Sequence, residues 1–170
     1  RDQGTEQGRL PCVDSGAHTA QDTVGDPARN EAEAAQLVVR PATTGTLRLK
    51  VSDLKGPGNA RIGSENIEIL SVAHVNVTVP TDKTSTLGLW PDPLPPLTGP
   101  LDLKADWNHP FWVRVNVPRN AAAGTYKGQL KLSAANGYSA TVELHVEVYD
   151  FTLPDRMSCT TAFGFSPGNV

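Results

Sequence analysis

The sequence has few cysteines and no long apolar run. Its 170 residues include two cysteines, Cys12 and Cys159, near opposite ends of the chain. Two cysteines do not make the framework of a disulfide-stabilised domain, so we expect two unrelated thiols, with a single bridge between them as the alternative. No apolar run approaches the roughly 20 residues that a membrane-spanning helix needs.

Excess positive charge is also lacking. The chain carries 15 Lys and Arg against 18 Asp and Glu, a net charge of -3, and it has no basic run longer than two residues. Nucleic acid and anionic membranes are therefore poor partners on electrostatic grounds. A chain of this length is expected to form one main domain, which needs neither a metal nor a disulfide for stability.

Several catalytic motifs are absent. There is no Gly-x-Ser-x-Gly, no histidine placed for a serine triad, and no glycine-rich phosphate loop. Glu143, His145 and Glu147 share one face of one predicted strand and suggest a metal site. However, side chains along one strand diverge and no second His or Cys cluster lies nearby. We therefore predict a solvated or domain-facing strand surface, and neither a metal nor a cofactor.

Candidate carboxylates and aromatic residues lie in the centre of the chain. Asp92, Asp102 and Asp106 are candidates for the paired carboxylates of glycoside hydrolysis, but Asp is also a common turn residue. We therefore predict no catalytic residue. A second group of residues could either stack on sugar rings or pack at the contact with a partner domain, and we prefer packing. These residues are Trp90, Trp107, Trp112 and Asn108.

What the sequence does contain is a repeated alternation of apolar and polar residues, with 15 Gly and 14 Pro between the alternating segments. This pattern predicts an all-β fold, a two-sheet antiparallel β-sandwich of Ig-like or Greek-key type. Residues 30–35 fit either a helical turn or, preferably, the lead into a strand. The predicted strands cover residues 36–40, 47–51, 67–79 (one bent strand or two short ones), 111–117, 126–132 and 141–149. Asn136-Gly137 predicts a hairpin between the last two strands.

We expect the rest of the chain to be arranged around residues 87–118. Pro91, Pro93, Pro95, Pro96 and Pro100 exclude a helix or a central strand, because proline lacks a backbone donor. Apolar side chains within it predict that this stiff connector is held against a neighbouring surface: Trp90, Leu94 and Leu97.

An ordered series of short motifs resembles the N-terminal region of proteins related to glycoside hydrolase family 123. The resemblance covers most of the chain from residue 30 onward, and the Pro-Asp-Pro-Leu-Pro run is its most specific part. The motifs are Asn30-Glu31-x-Glu33-x-x-Gln36-Leu37-Val38, Val51-Ser52-Asp53-Leu54, Gly88-x-Trp90-Pro91-Asp92-Pro93-Leu94-Pro95-Pro96-Leu97, Asn108-x-Pro110-x-Trp112-Val113, Ala123-Gly124-Thr125-Tyr126-x-Gly128, Asp150-Phe151-x-Leu153-Pro154 and Thr161-x-Phe163-Gly164-Phe165.

The resemblance implies a β-sandwich followed by a (β/α)8 barrel that hydrolyses β-linked N-acetylgalactosaminides. It further implies a mechanism in which the substrate acetamido group attacks with the help of an Asp-Glu pair in the barrel. This chain contains no Asp-Glu dipeptide, so no catalytic residue is carried over. We expect an irregular segment over residues 1–29, the sandwich over 30–154, and a linker with the start of the barrel over 155–170.

The sequence therefore predicts the non-catalytic N-terminal domain of a secreted or periplasmic glycoside hydrolase. Its expected partners are the downstream barrel of the same polypeptide and, through that barrel, a carbohydrate. Two alternatives stay open. One is a stand-alone carbohydrate-binding module that uses the three tryptophans as platforms, and the other is a structural Ig-like module of a surface protein.

Overall fold

The computed structural model describes residues 21–80, 82–156 and 159. Within them the chain forms twelve strands and one short 3-10 helix, Ser64–Asn66. The strands are β1 (Gln21–Gly25), β2 (Ala32–Val39), β3 (Gly45–Val51), β4 (Leu54–Lys55), β5 (Arg61–Ile62), β6 (Ile67–Ser71), β7 (His74–Val77), β8 (Gly88–Pro91), β9 (Leu101–Leu103), β10 (His109–Asn116), β11 (Gly124–Ala134) and β12 (Ser139–Val148).

These strands form two packed sheets and a separate ribbon. The large sheet has the order β1-β12-β11-β3-β9, with β4 pairing to β11 and β5 pairing to β4. The small sheet has the order β2-β10-β6, and β7 pairs only with β8. All pairings are antiparallel except that of β1 with β12, which is parallel.

The core lies between the inner faces of the two sheets. In β10, Phe111, Val113 and Val115 are buried while Trp112 is exposed and Arg114 half-buried, as the two-residue period of a half-buried strand requires. One continuous apolar cluster joins these side chains to the inward residues of β11 and β12. The predicted all-β sandwich is confirmed, and so is the pairing of the last two strands through the hairpin at Asn136-Gly137.

Two sequence-based alternatives are resolved. Residues 30–35 contain no helix, and residues 32–35 are already part of β2. The segment 67–79 is two short strands, β6 and β7, and they belong to different sheets. The segment 1–29 contains β1, and Val24 and Ala28 are buried. The sandwich therefore includes residues that precede position 30. The predicted start of a barrel lies almost wholly outside the described residues.

The run Ala123–Gly128 is explained by the packing of Tyr126. Its ring is fully buried, and its hydroxyl donates a hydrogen bond to the carbonyl of Ala122 at 2.9 Å. Burial raises the pKa of the Tyr126 hydroxyl. At Gly128 a Cβ atom would overlap a methyl group of Leu54 and lie 2.9 Å from the carbonyl oxygen of Asp53. Glycine is therefore required at this point because β4 approaches β11 closely.

We predict that Gly128→Ala lowers the stability of the domain, because the added methyl group must displace buried Leu54 or the β4 backbone. Overpacking of this kind costs about 1–3 kcal/mol, which corresponds to a fall of several degrees in Tm. Thermal unfolding followed by circular dichroism measures it. Gly45→Ala is the matched control, since a Cβ there has no neighbour within 4 Å. Equal melting temperatures for the two variants would contradict this account of Gly128.

Candidate interaction surface

The β7–β8 ribbon projects from the edge of the small sheet. After β6 the chain continues through Val72 and Ala73 into β7, and β8 returns alongside it, with Val75 opposite Trp90 and Asn76 opposite Leu89. A turn centred on Asp82 lies in the connection, where its carboxylate accepts hydrogen bonds from the backbone N–H groups of Thr84 and Ser85 at 2.8 and 3.0 Å.

The proline-rich segment, residues 92–97, continues from β8 along the open edge of β6. The carbonyls of Pro93 and Pro95 accept hydrogen bonds from the N–H groups of Ala73 and Ser71, and Leu97 donates to the carbonyl of Ile69. The prolines only accept, so the segment occupies an edge position, which agrees with the predicted exclusion of a central strand. It ends further pairing at that edge because proline has no N–H to offer.

Most of the exposed large apolar side chains of the described residues lie in this region. We define the apolar arm as β7, β8, the connecting residues 78–80 and 82–87, and the proline-rich segment. Ten large apolar residues are exposed in the described part of the chain, and six of them are in the arm: Val75, Val79, Leu87, Leu89, Trp90 and Leu94. Trp107 and Trp112 are two more, and both lie near it. The arm thus carries a concentrated apolar surface.

The three tryptophans occupy three different settings. Trp90 is 47% exposed in β8, and its indole N–H donates to the carbonyl of Thr86 at 2.9 Å. Trp107 makes an edge-on contact with His74 of the arm, with ring centroids 6.4 Å apart, and the Lys104 ammonium lies over its ring. Trp112 lies on the outer face of the small sheet. No ring contact joins any two of them within the described residues.

Asn108 has a structural role in the loop that holds Trp107. Its side-chain oxygen accepts a hydrogen bond from Arg40 at 3.3 Å. In the same loop, the imidazole of His109 bonds to the backbone N–H of Lys104 at 2.9 Å, and Asp106 adopts a positive φ of 56° while its N–H bonds to Pro41. The loop is therefore tied to the end of β2, and this fixes the position of Trp107.

The candidate carboxylates lie in three different settings. Asp102 accepts a hydrogen bond from Thr46 on β3 at 2.6 Å, Asp106 lies in the loop just described, and Asp92 lies at the start of the proline-rich segment. The prediction that none of them is catalytic stays a prediction.

The row of Glu143, His145 and Glu147 is a strand surface, as predicted. Glu143 and His145 approach to 3.6 Å, whereas Glu147 bonds to the hydroxyl of Thr125 on the neighbouring strand. Across residues 21–80, 82–156 and 159, no group of three His, Cys, Asp or Glu side chains could hold a metal ion. In the same residues no helix has the length and hydrophobicity to cross a membrane.

The chain after β12 is tied to the sandwich by polar contacts. Backbone hydrogen bonds join Arg29 to Phe151 and Leu153, and the Asn30 side chain bonds to the carbonyl of Leu153 at 3.0 Å. Arg29 pairs with Asp150, and Arg119 pairs with Asp155 at 2.7 Å. These contacts hold residues 150–155 against the sandwich. Cys159 is exposed, and Cys12 lies outside the described residues, so their pairing stays untested.

A cavity lies between the two sheets. Its volume is about 130 Å³, and its walls include Val39, Leu47, Leu103 and Tyr138. Burial raises the pKa of the Tyr138 hydroxyl. Sites that enclose small molecules usually measure about 300–1,000 Å³. The cavity is therefore too small to enclose a sugar ring with its neighbours, and the exposed surfaces are the better candidates for function.

Sequence reasoning located the proline-rich segment and the tryptophans but missed the rest of the arm. The sequence predicts a strand at Val75 and a connector at Leu89. A β pattern in sequence does not reveal that β7 and β8 pair only with each other. Their lack of a covering sheet is a tertiary property. The polar contacts that hold the chain after β12 join residues more than 100 positions apart, so the sequence pattern did not predict them either.

A solved structure shares this fold. Over 78% of its length the chain matches a family 123 glycoside hydrolase from Clostridium perfringens, with 22% identity and a TM-score of 0.68. The match spans 24% of that enzyme, so the chain corresponds to about a quarter of its length. A PapD-like domain of human CEP192 also matches over 78% of this chain and 82% of that domain, with 10% identity and a TM-score of 0.41. No curated protein sequence matches the chain.

The sequence profile of the glycoside hydrolase 123 N-terminal domain matches residues 17–134, which is more than half of the chain. The matched region begins before β1 and ends with β11, so it includes the small sheet, every strand of the large sheet except β12, the apolar arm and the proline-rich segment. The chain therefore belongs to the glycoside hydrolase 123 N-terminal domain family.

Proposed function

We propose that this chain is the non-catalytic N-terminal β-sandwich of a glycoside hydrolase and that its apolar arm docks on the downstream catalytic region of the same protein. Membership of the family implies such a catalytic region in the parent protein. The single observation that carries the docking proposal is the concentration of exposed apolar side chains on a ribbon whose two strands pair only with each other.

Physical chemistry supports a covered arm. A two-stranded ribbon without a packed face is at best marginally stable in water. Contiguous exposed apolar surface commonly marks an interaction site in soluble proteins. In β7 and β8 every residue except Val77 and Gly88 is exposed, and Leu89 is 59% exposed. Contact with the catalytic region supplies the burial that the sandwich itself does not provide.

The parent activity belongs to the proposal as well. By resemblance, the catalytic barrel hydrolyses β-linked N-acetylgalactosaminides with participation of the substrate acetamido group, and the protein works in the periplasm or outside the cell. Such hydrolysis needs one carboxylate to orient the amide and a neighbouring acid to protonate the leaving oxygen. The absence of an Asp-Glu dipeptide from this chain supports a sandwich without catalytic function.

The second candidate function is carbohydrate binding by the sandwich alone. The exposure of Trp90, Trp107 and Trp112 favours it, because open indole faces can stack on sugar rings. Their settings favour docking instead, since Lys104 lies over the ring of Trp107 and no ring contact joins the three side chains within the described residues. The third candidate, a structural Ig-like module of a surface protein, leaves the apolar arm without a role.

We predict that the 170-residue chain alone hydrolyses no aryl β-N-acetylgalactosaminide, whereas the full-length protein does. The reason is the missing acid pair. Release of the aryl group, followed by absorbance, measures both. Replacement of an Asp-Glu pair in the downstream region should abolish the activity of the full-length protein. Turnover by the short chain that disappears in Asp92→Asn or Asp106→Asn would make the sandwich itself the enzyme.

We predict that Trp90→Ser combined with Leu94→Ser uncouples the sandwich from the catalytic region in the full-length protein. The two side chains are 47% and 39% exposed, so docking buries less than their full surface. The loss is then about 1.5–3 kcal/mol. Differential scanning calorimetry should show two transitions where the parent protein shows one.

The matched control for that experiment lies on the opposite side of the domain. Lys50→Ser combined with Lys131→Ser changes two exposed side chains on the outer face of the large sheet. This variant should keep a single transition. A single transition at an unchanged temperature in the Trp90 and Leu94 variant would refute docking through these residues.

We predict that Trp90 is open to quenching in the short chain and shielded in the full-length protein. The variant carries both Trp107→Phe and Trp112→Phe, and any tryptophan outside this chain is also replaced. Trp90 is then the only tryptophan that emits. Acrylamide should quench it readily in the short chain and several-fold less in the full-length protein. Added N-acetylgalactosamine should not change the quenching in the short chain. Protection by the sugar would support the carbohydrate-binding module instead.

A further inference from the structure

We propose that the outer face of the large sheet binds a linear acidic polysaccharide, one with regularly spaced carboxylate or sulfate groups. This surface is on the side of the sandwich away from the small sheet and does not include the apolar arm. It is distinct from the proposed docking surface and does not depend on it.

The basic face, as we call it, is assembled by strand register. Five exposed cations lie on β3, β4 and β11 with their side chains on the outer face: Arg48, Lys50, Lys55, Lys127 and Lys131. No two of them are adjacent in sequence. The sheet nevertheless places Lys131 directly opposite Lys50 and Lys127 directly opposite Lys55. A chain of net charge -3 thus carries a local concentration of positive charge.

These pairings are unfavourable in the free protein. Like charges directly opposite each other on neighbouring strands repel and destabilise the sheet. None of the five cations forms a salt bridge with any residue of the described ranges, whereas Arg29, Arg61, Arg114 and Arg119 elsewhere all do. An anion that bridges each lysine pair would remove this repulsion, so the arrangement favours an anionic ligand.

The face is concave where it holds one of the lysine pairs. A groove of about 550 Å³ lies between β4, β11 and β12, and its walls include Lys55, Lys127, Gln129, Glu143 and His145. Gln129 is exposed, and its side-chain amide makes no hydrogen bond within the described residues. An amide of this kind both donates to and accepts from sugar hydroxyl groups. The groove therefore offers cations and a neutral hydrogen-bonding group side by side.

Carboxylates lie beside the cations on the same side of the sheet. Glu143 and Glu147 lie on the outer face of β12 with His145 between them, and Glu143 and His145 also line the groove. Asp53 also lines the groove, but it pairs with Arg61 and accepts a hydrogen bond from the N–H of Ser64 at 2.8 Å. That backbone hydrogen bond lowers the pKa of Asp53, with Arg61 contributing. The negative groups confine the ligand to a path along β11.

The spacing of the charges favours a polysaccharide over nucleic acid. Residues 127 and 131 are four positions apart on β11, so the two lysine pairs are separated by about 14 Å, from a rise of about 3.4 Å per residue. Duplex nucleic acid carries one charge about every 1.7 Å of its axis. Between the lysine pairs lies Gln129, which suits the hydroxyl groups between the charges of an acidic sugar chain. Aromatic side chains that could stack on bases are absent from the basic face.

The test is binding of the full-length protein to polygalacturonate and to dextran sulfate, measured by isothermal titration calorimetry at low salt. Neutral dextran is the control ligand. We expect binding to at least one of the two acidic polymers, weakening as salt is added. Lys50→Gln with Lys131→Gln, and separately Lys55→Gln with Lys127→Gln, should each weaken it about fivefold to tenfold, as expected for the loss of two exposed ion pairs. Lys83→Gln with Arg156→Gln removes the same charge elsewhere on the surface and should leave binding unchanged.

Stability provides an independent readout. In the absence of ligand, Lys131→Gln should raise Tm slightly, because it removes the repulsion from Lys50. A variant that is more stable yet binds less tightly cannot be explained by misfolding. Failure of both acidic polymers to bind would overturn the proposal, as would equal losses in the control variant. Tighter binding to a single-stranded oligonucleotide, or to phosphatidylserine vesicles, would overturn it in favour of that partner.

Discussion

The two-residue period of β11 connects the core of the domain to the surface of the large sheet. Tyr126, Leu130 and Leu132 point inward and are almost fully buried, so the residues between them must point outward. The strand pairs with β12 on one side and with β3 and β4 on the other. A shift of one residue would exchange buried and exposed side chains and is excluded by the core. The register that builds the core therefore also fixes which lysines face each other.

The two outer surfaces of the sandwich have different chemistry. The outer face of the large sheet is covered with charged and amide side chains such as Lys127 and Gln129. The small-sheet side carries Trp112 and the apolar arm. Its edge at β6 is closed by prolines that only accept hydrogen bonds. Further strands cannot add at that edge of the small sheet. This division of surfaces separates the proposed domain contact from the proposed ligand contact.

Local pattern was sufficient to predict the fold class and insufficient to predict the surfaces. Alternation along β10 and β12, together with the Asn136-Gly137 turn, was enough to predict a sandwich. In a half-buried strand the buried and exposed positions follow directly from the alternation of apolar and polar residues. The division of residues 67–79 between two sheets was left open, since each half shows the same β pattern. The opposition of Lys131 and Lys50 joins residues some 80 positions apart, and no local pattern contains it. The absence of a basic run therefore said little about charge on the folded surface.

The positions of the arm and of the chain exit define how the proposed domain contact would work. The backbone of Val117 bonds to Asn30 and Glu31, beside the polar contacts that hold residues 150–155. At the other end of β10, the carbonyl of Pro110 accepts a hydrogen bond from Val72, just before the arm begins. These two points are seven residues apart along β10, or about 24 Å at a rise of about 3.4 Å per residue. A catalytic region that leaves the sandwich at one end and contacts the arm at the other is held at two separated points. A single linker would leave its orientation free, since domains joined by small interfaces move relative to each other by default. Under the proposed docking, attachment at both ends of β10 restricts that rotation and gives the sandwich a mechanical role.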